Sequence, residues 1–299
     1  MAPVSNISDK TPCIRKWRVS AEEAGMRLLA FLRKKNADAP SVKSLKRALD
    51  GKCCTVNGRT ETFSSRPLKK DDLVVLHYSL QDRPAKLTLP VLYEDDDLLI
   101  VDKPSGLTCE NRYFAPLLKK RAALIHRLDK ETSGVVMLGK NKEIIDEMIA
   151  LFREKAIHKE YLALVDGCVS AQSGKIENAL RKKASSKQGQ VFYEVTTGRG
   201  THAITQWKCL KKTQEASLLL CEPITGRTHQ LRVHLLWIGH PILGDIQYAK
   251  RFRCFLRPKR HLLHALAIAF IHPKTHQKIQ VASPLPADFK ESLQKLRLD

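Results

Sequence analysis

No run of about 18 apolar residues occurs anywhere in the 299-residue chain, so no stretch is built to cross a bilayer as a helix. Met1 to Cys13 has neither the apolar core of a signal peptide nor the Arg-rich amphipathic pattern of a transit peptide. The eight cysteines include no C-x-x-C pair, and no H-E-x-x-H accompanies them, so the spacing of the common zinc sites is missing. The chain is too long and too apolar to need disulfides, and reduced cysteines in a cytoplasmic protein are expected. There is no P-loop and no glycine-rich dinucleotide fingerprint after a strand, so no cofactor and no metal are expected. Acid is scarce as well: 31 Asp and Glu stand against 52 Lys and Arg, a net charge of +21. That excess is beyond the roughly 2–8 charges that keep a small domain soluble. It points to a polyanionic partner, nucleic acid first. No basic amphipathic helix carries Trp or Phe on its far face, which argues against a membrane surface.

The pattern along the chain divides it in two. Residues 1–14 hold Pro3, Ser5, Ser8 and Pro12 and read as a flexible tail. Residues 15–80 read as a small unit. Leu28, Phe31 and Leu32 sit at helical spacing, and Ser41 suits the N-cap of a second helix. On that second helix Val42, Leu45, Ala48 and Leu49 share one side, while Lys43, Lys46 and Arg47 share the other. A strand, an Asn57-Gly58 hairpin turn and two further strands follow. Charge runs are usually solvated faces, but here the basic face also suits RNA. Residues 81–88 read as a linker, and 89–299 as a larger domain that mixes strands and helices. Within it, Phe114 to Leu124 is expected to be helical, and the Lys/Ser-rich stretch from Arg181 to Gln190 a mobile basic loop.

One stretch carries chemistry: His126-Arg127-Leu128-Asp129-Lys130-Glu131-Thr132-Ser133-Gly134. It sets Asp129 between two cations, just before the apolar strand Val135 to Leu138. Loops held by a rigid scaffold are where chemistry collects. Taken alone, Asp129 also suits a plain turn or an N-cap. Three further runs stand out. Asp102-Lys103-Pro104-Ser105-Gly106-Leu107 is a tight turn after a strand. Lys159-Glu160-Tyr161 opens another strand, where a lone Tyr is more often a packing residue. Thr225-Gly226-Arg227-Thr228-His229-Gln230-Leu231-Arg232-Val233-His234 leads to Gly239-His240-Pro241-Ile242-Leu243-Gly244-Asp245. In that last run Leu231, Leu235 and Ile238 share a helical face. His229 and His234 are spaced poorly for one metal, and structural roles are expected for them.

The nonapeptide resembles the signature of the RluA-type pseudouridine synthases, and the other three runs resemble further motifs of that family. Where many members continue the turn with Val-His-Pro, this chain has Thr108-Cys109-Glu110. The resemblance covers nearly all of the larger domain. The order of elements in 15–80 is similar to the small RNA-binding domain first known from ribosomal small-subunit protein four. The implied fold is α+β: a largely antiparallel central sheet with flanking helices, a catalytic cleft, and the small N-terminal domain.

The implied reaction breaks the bond from sugar to nitrogen in uridine and remakes it to carbon, with no net redox change. By resemblance Asp129 is the catalytic nucleophile, Arg232 its partner, and Tyr161 lies against the target base. A guanidinium beside Asp129 would keep it ionised and aim it. Attack on the base, attack on the anomeric carbon and removal of a sugar proton all remain open for the carboxylate. The target uridine must be flipped out of its stack, at a cost of a few kcal/mol. Arg127 is placed to fill the gap or hold a phosphate, with His126 beside it at the RNA. Lys43, Lys46 and Arg47 are the expected RNA contacts of the small domain. Large-subunit ribosomal RNA is the expected substrate and transfer RNA the second, with the protein acting as a monomer.

Other classes fit less well. A non-catalytic RNA-binding ribosome assembly factor explains the charge but not an Asp, a Tyr and an Arg each in its own motif. A uridine methyltransferase needs a methyl-donor site that is not evident. A glycosidase needs a second carboxylate across the bond, for which Glu131 is a weak candidate.

Overall fold

The computed structural model describes residues 13–36, 45–46, 48–49, 53–78, 89–118, 122–185 and 191–299. Two compact units make up the chain, Met1–Leu87 and Thr88–Asp299.

The first unit holds a four-stranded antiparallel sheet in the order β1-β4-β2-β3. Its strands are β1 (Cys13–Arg18), β2 (Cys54–Val56), β3 (Arg59–Thr60) and β4 (Leu73–Tyr78). Helix α1 (Leu28–Lys35) buries Leu28, Phe31 and Leu32 against Val56, Val74 and Leu76 of the sheet. Asn57 and Gly58 both have positive φ, 53° and 77°, the backbone that a two-residue hairpin with right-handed strand twist demands. Leu45, Ala48 and Leu49 are helical and buried in the same core, and Lys46 between them is exposed. Lys43 and Arg47 lie outside the described residues.

The second unit is built on an 11-stranded sheet, whose main path runs β11-β10-β12-β13-β9-β14-β8-β6-β5. Its strands are β5 (Val91–Glu94), β6 (Leu98–Lys103), β7 (Ala123–Leu124), β8 (Ser133–Gly139), β9 (His158–Asp166), β10 (Ser173–Ser185), β11 (Val191–Thr196), β12 (Thr201–Lys212), β13 (Ala216–Pro223), β14 (Leu263–Ile271) and β15 (Lys278–Ala282). Helices α2 (Asn111–Leu118), α3 (Lys142–Arg153), α4 (Gln230–Trp237) and α5 (Ala287–Lys295) flank it. The fold is α+β with a largely antiparallel sheet, as the motifs imply. Strand β8 is fully buried, which explains its unbroken apolar run.

One pairing breaks the antiparallel rule. β14 meets β8 in parallel through His264–Ser133 and Ala265–Gly134. The two strands approach so closely that a Cβ on Gly134 would stand 2.1 Å from the Ala265 carbonyl oxygen, and Gly134 also has φ +112°. Only glycine fits there. This contact fixes the start of β8 immediately after the Asp129 loop.

Two expectations need correction. The segment read as one helix to Leu124 is helix over Asn111–Leu118 and lies outside the described residues at 119–121; Ala123 and Leu124 are not helical but pair with β8, which needs their backbone groups. The stretch from Arg181 is not loop at its start. Residues 181–185 complete β10 and pair with β11, held by Glu194 across the strands: Arg181 Nε and Nη2 donate to it at 3.0 and 2.9 Å, and Lys183 lies 3.0 Å away. Cross-strand ion pairs, not apolar alternation, carry that segment. Residues 186–190 lie outside the described residues.

Candidate active site

The loop from His126 to Thr132 joins β7 to β8 and is pinned along its length. Leu128 is buried and its N–H donates to Cys109 Sγ at 3.4 Å. The buried Lys103 donates from Nζ to the carbonyls of Pro104 (2.9 Å), Leu107 (3.0 Å) and Lys130 (3.1 Å). Burial lowers its pKa to about 8. On the other flank Arg260 Nη1 donates to the Glu131 carbonyl at 3.0 Å, and Thr132 Oγ1 meets His261 Nε2 at 2.9 Å. Arg260 is itself held by Asp288 of α5, with Nε at 2.6 Å. Such bracing is what fixes a reacting group to within fractions of an ångström.

Asp129 emerges from this loop half-buried, facing Arg232 of α4. Arg232 Nη1 donates to Asp129 Oδ2 at 3.1 Å. Its other two nitrogens are occupied: Nε and Nη2 grip both oxygens of Asp245, at 2.7 and 2.8 Å, and Nη2 also donates to Gln247 Oε1 at 2.7 Å. The Tyr248 ring lies against it, 4.9 Å from the guanidinium carbon. Burial works against the Arg232 charge, but Asp245 and Asp129 outweigh it, so its pKa is raised. A fork held on one side by a buried carboxylate has one edge left to aim at Asp129.

Helix α4 is placed by its polar neighbours. Gln230 is buried and donates to the Ile204 carbonyl (2.9 Å) and Thr205 Oγ1 (3.0 Å), while its Oε1 accepts from Thr225 Oγ1 (2.7 Å) and the Arg227 N–H (3.0 Å). His234 is fully buried between Thr205 Oγ1 (2.9 Å) and Asn178 Oδ1 (3.1 Å), and desolvation lowers its pKa to about 4. It is the structural histidine that the sequence suggested. His229 is different. It precedes the helix with φ +57°, and its Nε2 stands 3.8 Å from Asp129 Oδ1. Its Nδ1 meets the Tyr248 hydroxyl at 2.7 Å.

A cleft of about 490 Å³ opens over Asp129. Arg127, Tyr161, Arg227, His229 and Arg232 line it, together with Phe152, Lys155 and Lys159. Arg127 is exposed. Tyr161 sits on β9 beside Cys221 and Ala265. Burial, with the Asp129 charge adding to it, pushes the Tyr161 phenol up, and its hydroxyl has no hydrogen-bond partner among the described residues. His126 lines the cleft but as an uncharged ring. Its Nε2 accepts from the Met137 N–H at 3.0 Å, its face meets Phe152 at 5.1 Å, and burial lowers its pKa to about 4. It therefore braces β8 and meets the cleft as a neutral ring. Among the described residues no three His, Cys, Asp or Glu side chains converge as metal ligands would.

Asp129, Arg232, Tyr161 and Arg127 thus share one cleft, as their motifs imply. Sequence reasoning missed Asp245, Gln247, Tyr248 and the exposure of His229 to the cleft. Asp245 stands in a run already singled out, and an Asp 13 residues after an Arg was the available signal.

A carboxylate and a guanidinium fixed in a basic, half-open cleft define an enzyme site for a polyanionic substrate. Comparison with known proteins specifies it. The RNA pseudouridylate synthase family model matches residues 97–237. Ribosomal large subunit pseudouridine synthase C of Buchnera aphidicola subsp. Schizaphis graminum is 37% identical over 76% of each chain. The protein of the same name from Vibrio cholerae serotype O1 is 35% identical over 71% of each chain. That from Escherichia coli K12 is 30% identical over 96% of this chain and 98% of its own. Among solved structures, Human RNA Pseudouridylate Synthase Domain Containing 4 aligns with TM-score 0.60 and 27% identity, over 70% of this chain and 93% of that one. The chain belongs to the RNA pseudouridylate synthase family and is an RNA pseudouridine synthase, an isomerase.

Proposed function

We propose that this chain converts uridines of large-subunit ribosomal RNA to pseudouridine, as a cytoplasmic monomer, with Asp129 as the nucleophile. The observation that carries the reading is the 3.1 Å pair between Arg232 and Asp129 at the floor of a basic cleft. The guanidinium holds Oδ2 of the carboxylate and so orients the group in the cleft. The other oxygen remains open to the substrate. The target base sits in a stacked helix and has to leave it. Arg127, exposed two residues before the nucleophile, fills the vacated stack or holds a flanking phosphate. Tyr161, which lines the cleft, stacks on the extruded uracil and takes part in the last proton removal.

Ribosomal RNA is favoured by the names of the relatives above, and the net charge of +21 supplies affinity for its phosphates. Residues 15–80 act as an RNA-binding unit that brings the larger domain to its sites, through the exposed Lys46 and the neighbouring Lys43 and Arg47.

The test is a map of pseudouridines across cellular RNA with and without this protein. The expected result is loss at a few discrete uridines of large-subunit ribosomal RNA. Loss confined to transfer RNA would move the substrate, and an unchanged map would overturn the reading.

A further inference from the structure

The electron pair released when the bond from sugar to N1 breaks does not stay on nitrogen. It spreads over uracil onto two carbonyl oxygens. The hydrogen on C5 later leaves as a proton, and N1 regains one, so product and substrate are isomers. In between, an anionic ring lies in the cleft and needs hydrogen-bond donors aimed at its oxygens. Fixed donors at developing negative charge are worth more than any the base could recruit from water.

Most donors around Asp129 are already spent. Arg232 gives every bond described above to Asp245, Gln247 and Asp129. The amide of Gln230 is used by β12. Besides the Tyr161 hydroxyl and the exposed Arg127, His229 has a donor to offer, and its tautomer follows from its partners. The Tyr248 oxygen accepts the Tyr193 N–H at 2.9 Å, so its single hydrogen goes to its other polar neighbour, His229 Nδ1, at 2.7 Å. Burial pushes the Tyr248 phenol up to about 12, which keeps that hydrogen in place. With Nδ1 accepting, a neutral imidazole carries its hydrogen on Nε2. Burial lowers the His229 pKa, the Asp129 charge opposing it, and the ring stays neutral. The Tyr193 and Tyr248 rings meet it edge-on, each with centroids 5.6 Å away, and block rotation. The Nε2–H therefore faces the space above Asp129, whose Oδ1 at 3.8 Å is beyond hydrogen-bond reach.

We infer that His229 donates its Nε2–H to a carbonyl oxygen of the uracil ring and stabilises the charge that builds there, with Tyr248 as the positioning residue that fixes the donor. The inference rests on Asp129 being the reacting carboxylate. It makes His229 a catalytic residue that touches the base without transferring a proton.

The experiment uses the full chain and RNA labelled with 5-tritiated uridine from cells lacking this protein, since bond formation at C5 releases the tritium. His229→Leu is expected to slow single-turnover release on the order of 100-fold, the usual cost of one lost donor of this kind, with RNA affinity little changed. His229→Gln returns an N–H near the Nε2 position and is expected to recover most of that loss. Tyr248→Phe keeps its ring over Arg232 but frees the tautomer, and should fall between them. Wild-type rates in His229→Leu would overturn the inference, as would a Gln variant no better than Leu. Should His229→Leu fold poorly by circular dichroism, a fully active Tyr248→Phe would overturn it instead. Absence of release by the unaltered protein from any RNA would count against the proposed function itself, and so is distinguishable.

Discussion

Arg232 Nη1 and Asp129 Oδ2 lie 103 residues apart in the chain and 3.1 Å apart in space. Asp129→Asn keeps the shape of this pair and removes its charge. It is expected to fold, to bind RNA, and to lose turnover by at least about 10⁴-fold, the order seen when a nucleophile is removed. Tritium release from 5-tritiated RNA measures it, and substantial residual activity would remove Asp129 from that role.

Arg232 does two things at once, and they can be separated. Arg232→Met leaves Asp245 buried without its partner, which should destabilise the larger unit by about 3–5 kcal/mol as well as abolish activity. Adding Asp245→Asn should restore much of the stability in urea unfolding and none of the activity. A double variant that regains turnover would mean that Arg232 is only a structural brace.

Gly134→Ala drives a methyl group into the Ala265 carbonyl and strains a backbone at φ +112°. Loss of several kcal/mol is expected, with activity lost alongside. Gly226→Ala is the control: nothing lies within 4 Å of its added Cβ, and its φ is unexceptional. Thermal melts of the two variants check this.

Acid should loosen the larger unit before most carboxylates titrate. His126 and His234 are held at about 4, below their ordinary 6.5. Between those values the unfolded chain binds more protons than the folded one. Stability from these two groups is therefore complete above pH 6.5 and falls as the pH drops toward 4, by up to about 1.4 kcal/mol per pH unit for each. Urea unfolding across that range should show the slope, and His234→Gln should make it shallower.

Removing residues 1–87 should leave the unit Thr88–Asp299 folded, since its strands and core are its own. RNA binding is expected to weaken and its salt dependence to flatten as phosphate contacts are lost. A truncated protein that modifies all native sites as before would show that residues 15–80 do not direct it.

Much of the site was legible because it lies in compact runs. Asp129, Tyr161 and Arg232 each sit inside a string whose residue types and order are distinctive. Their neighbours were not. Asp245 reaches Arg232 only because a turn after α4 folds back, and neither charge alone announces its partner. Lys103 looked like a turn residue, yet it is buried and holds three carbonyls together, a role visible only when the loop is closed. The β10–β11 hairpin escaped because ion pairs replace apolar alternation near its end. Strand β7 escaped because two residues give no periodicity.

The parallel seam between β8 and β14 has a consequence for biosynthesis. Ser133 and His264, bonded at 3.0 Å, are separated by 131 residues. The nascent chain holds the Asp129 segment long before it holds the strand that clamps it. The Asp129 loop can therefore be clamped only after the segment that carries His264 has been synthesised, so this site is completed late on the growing chain.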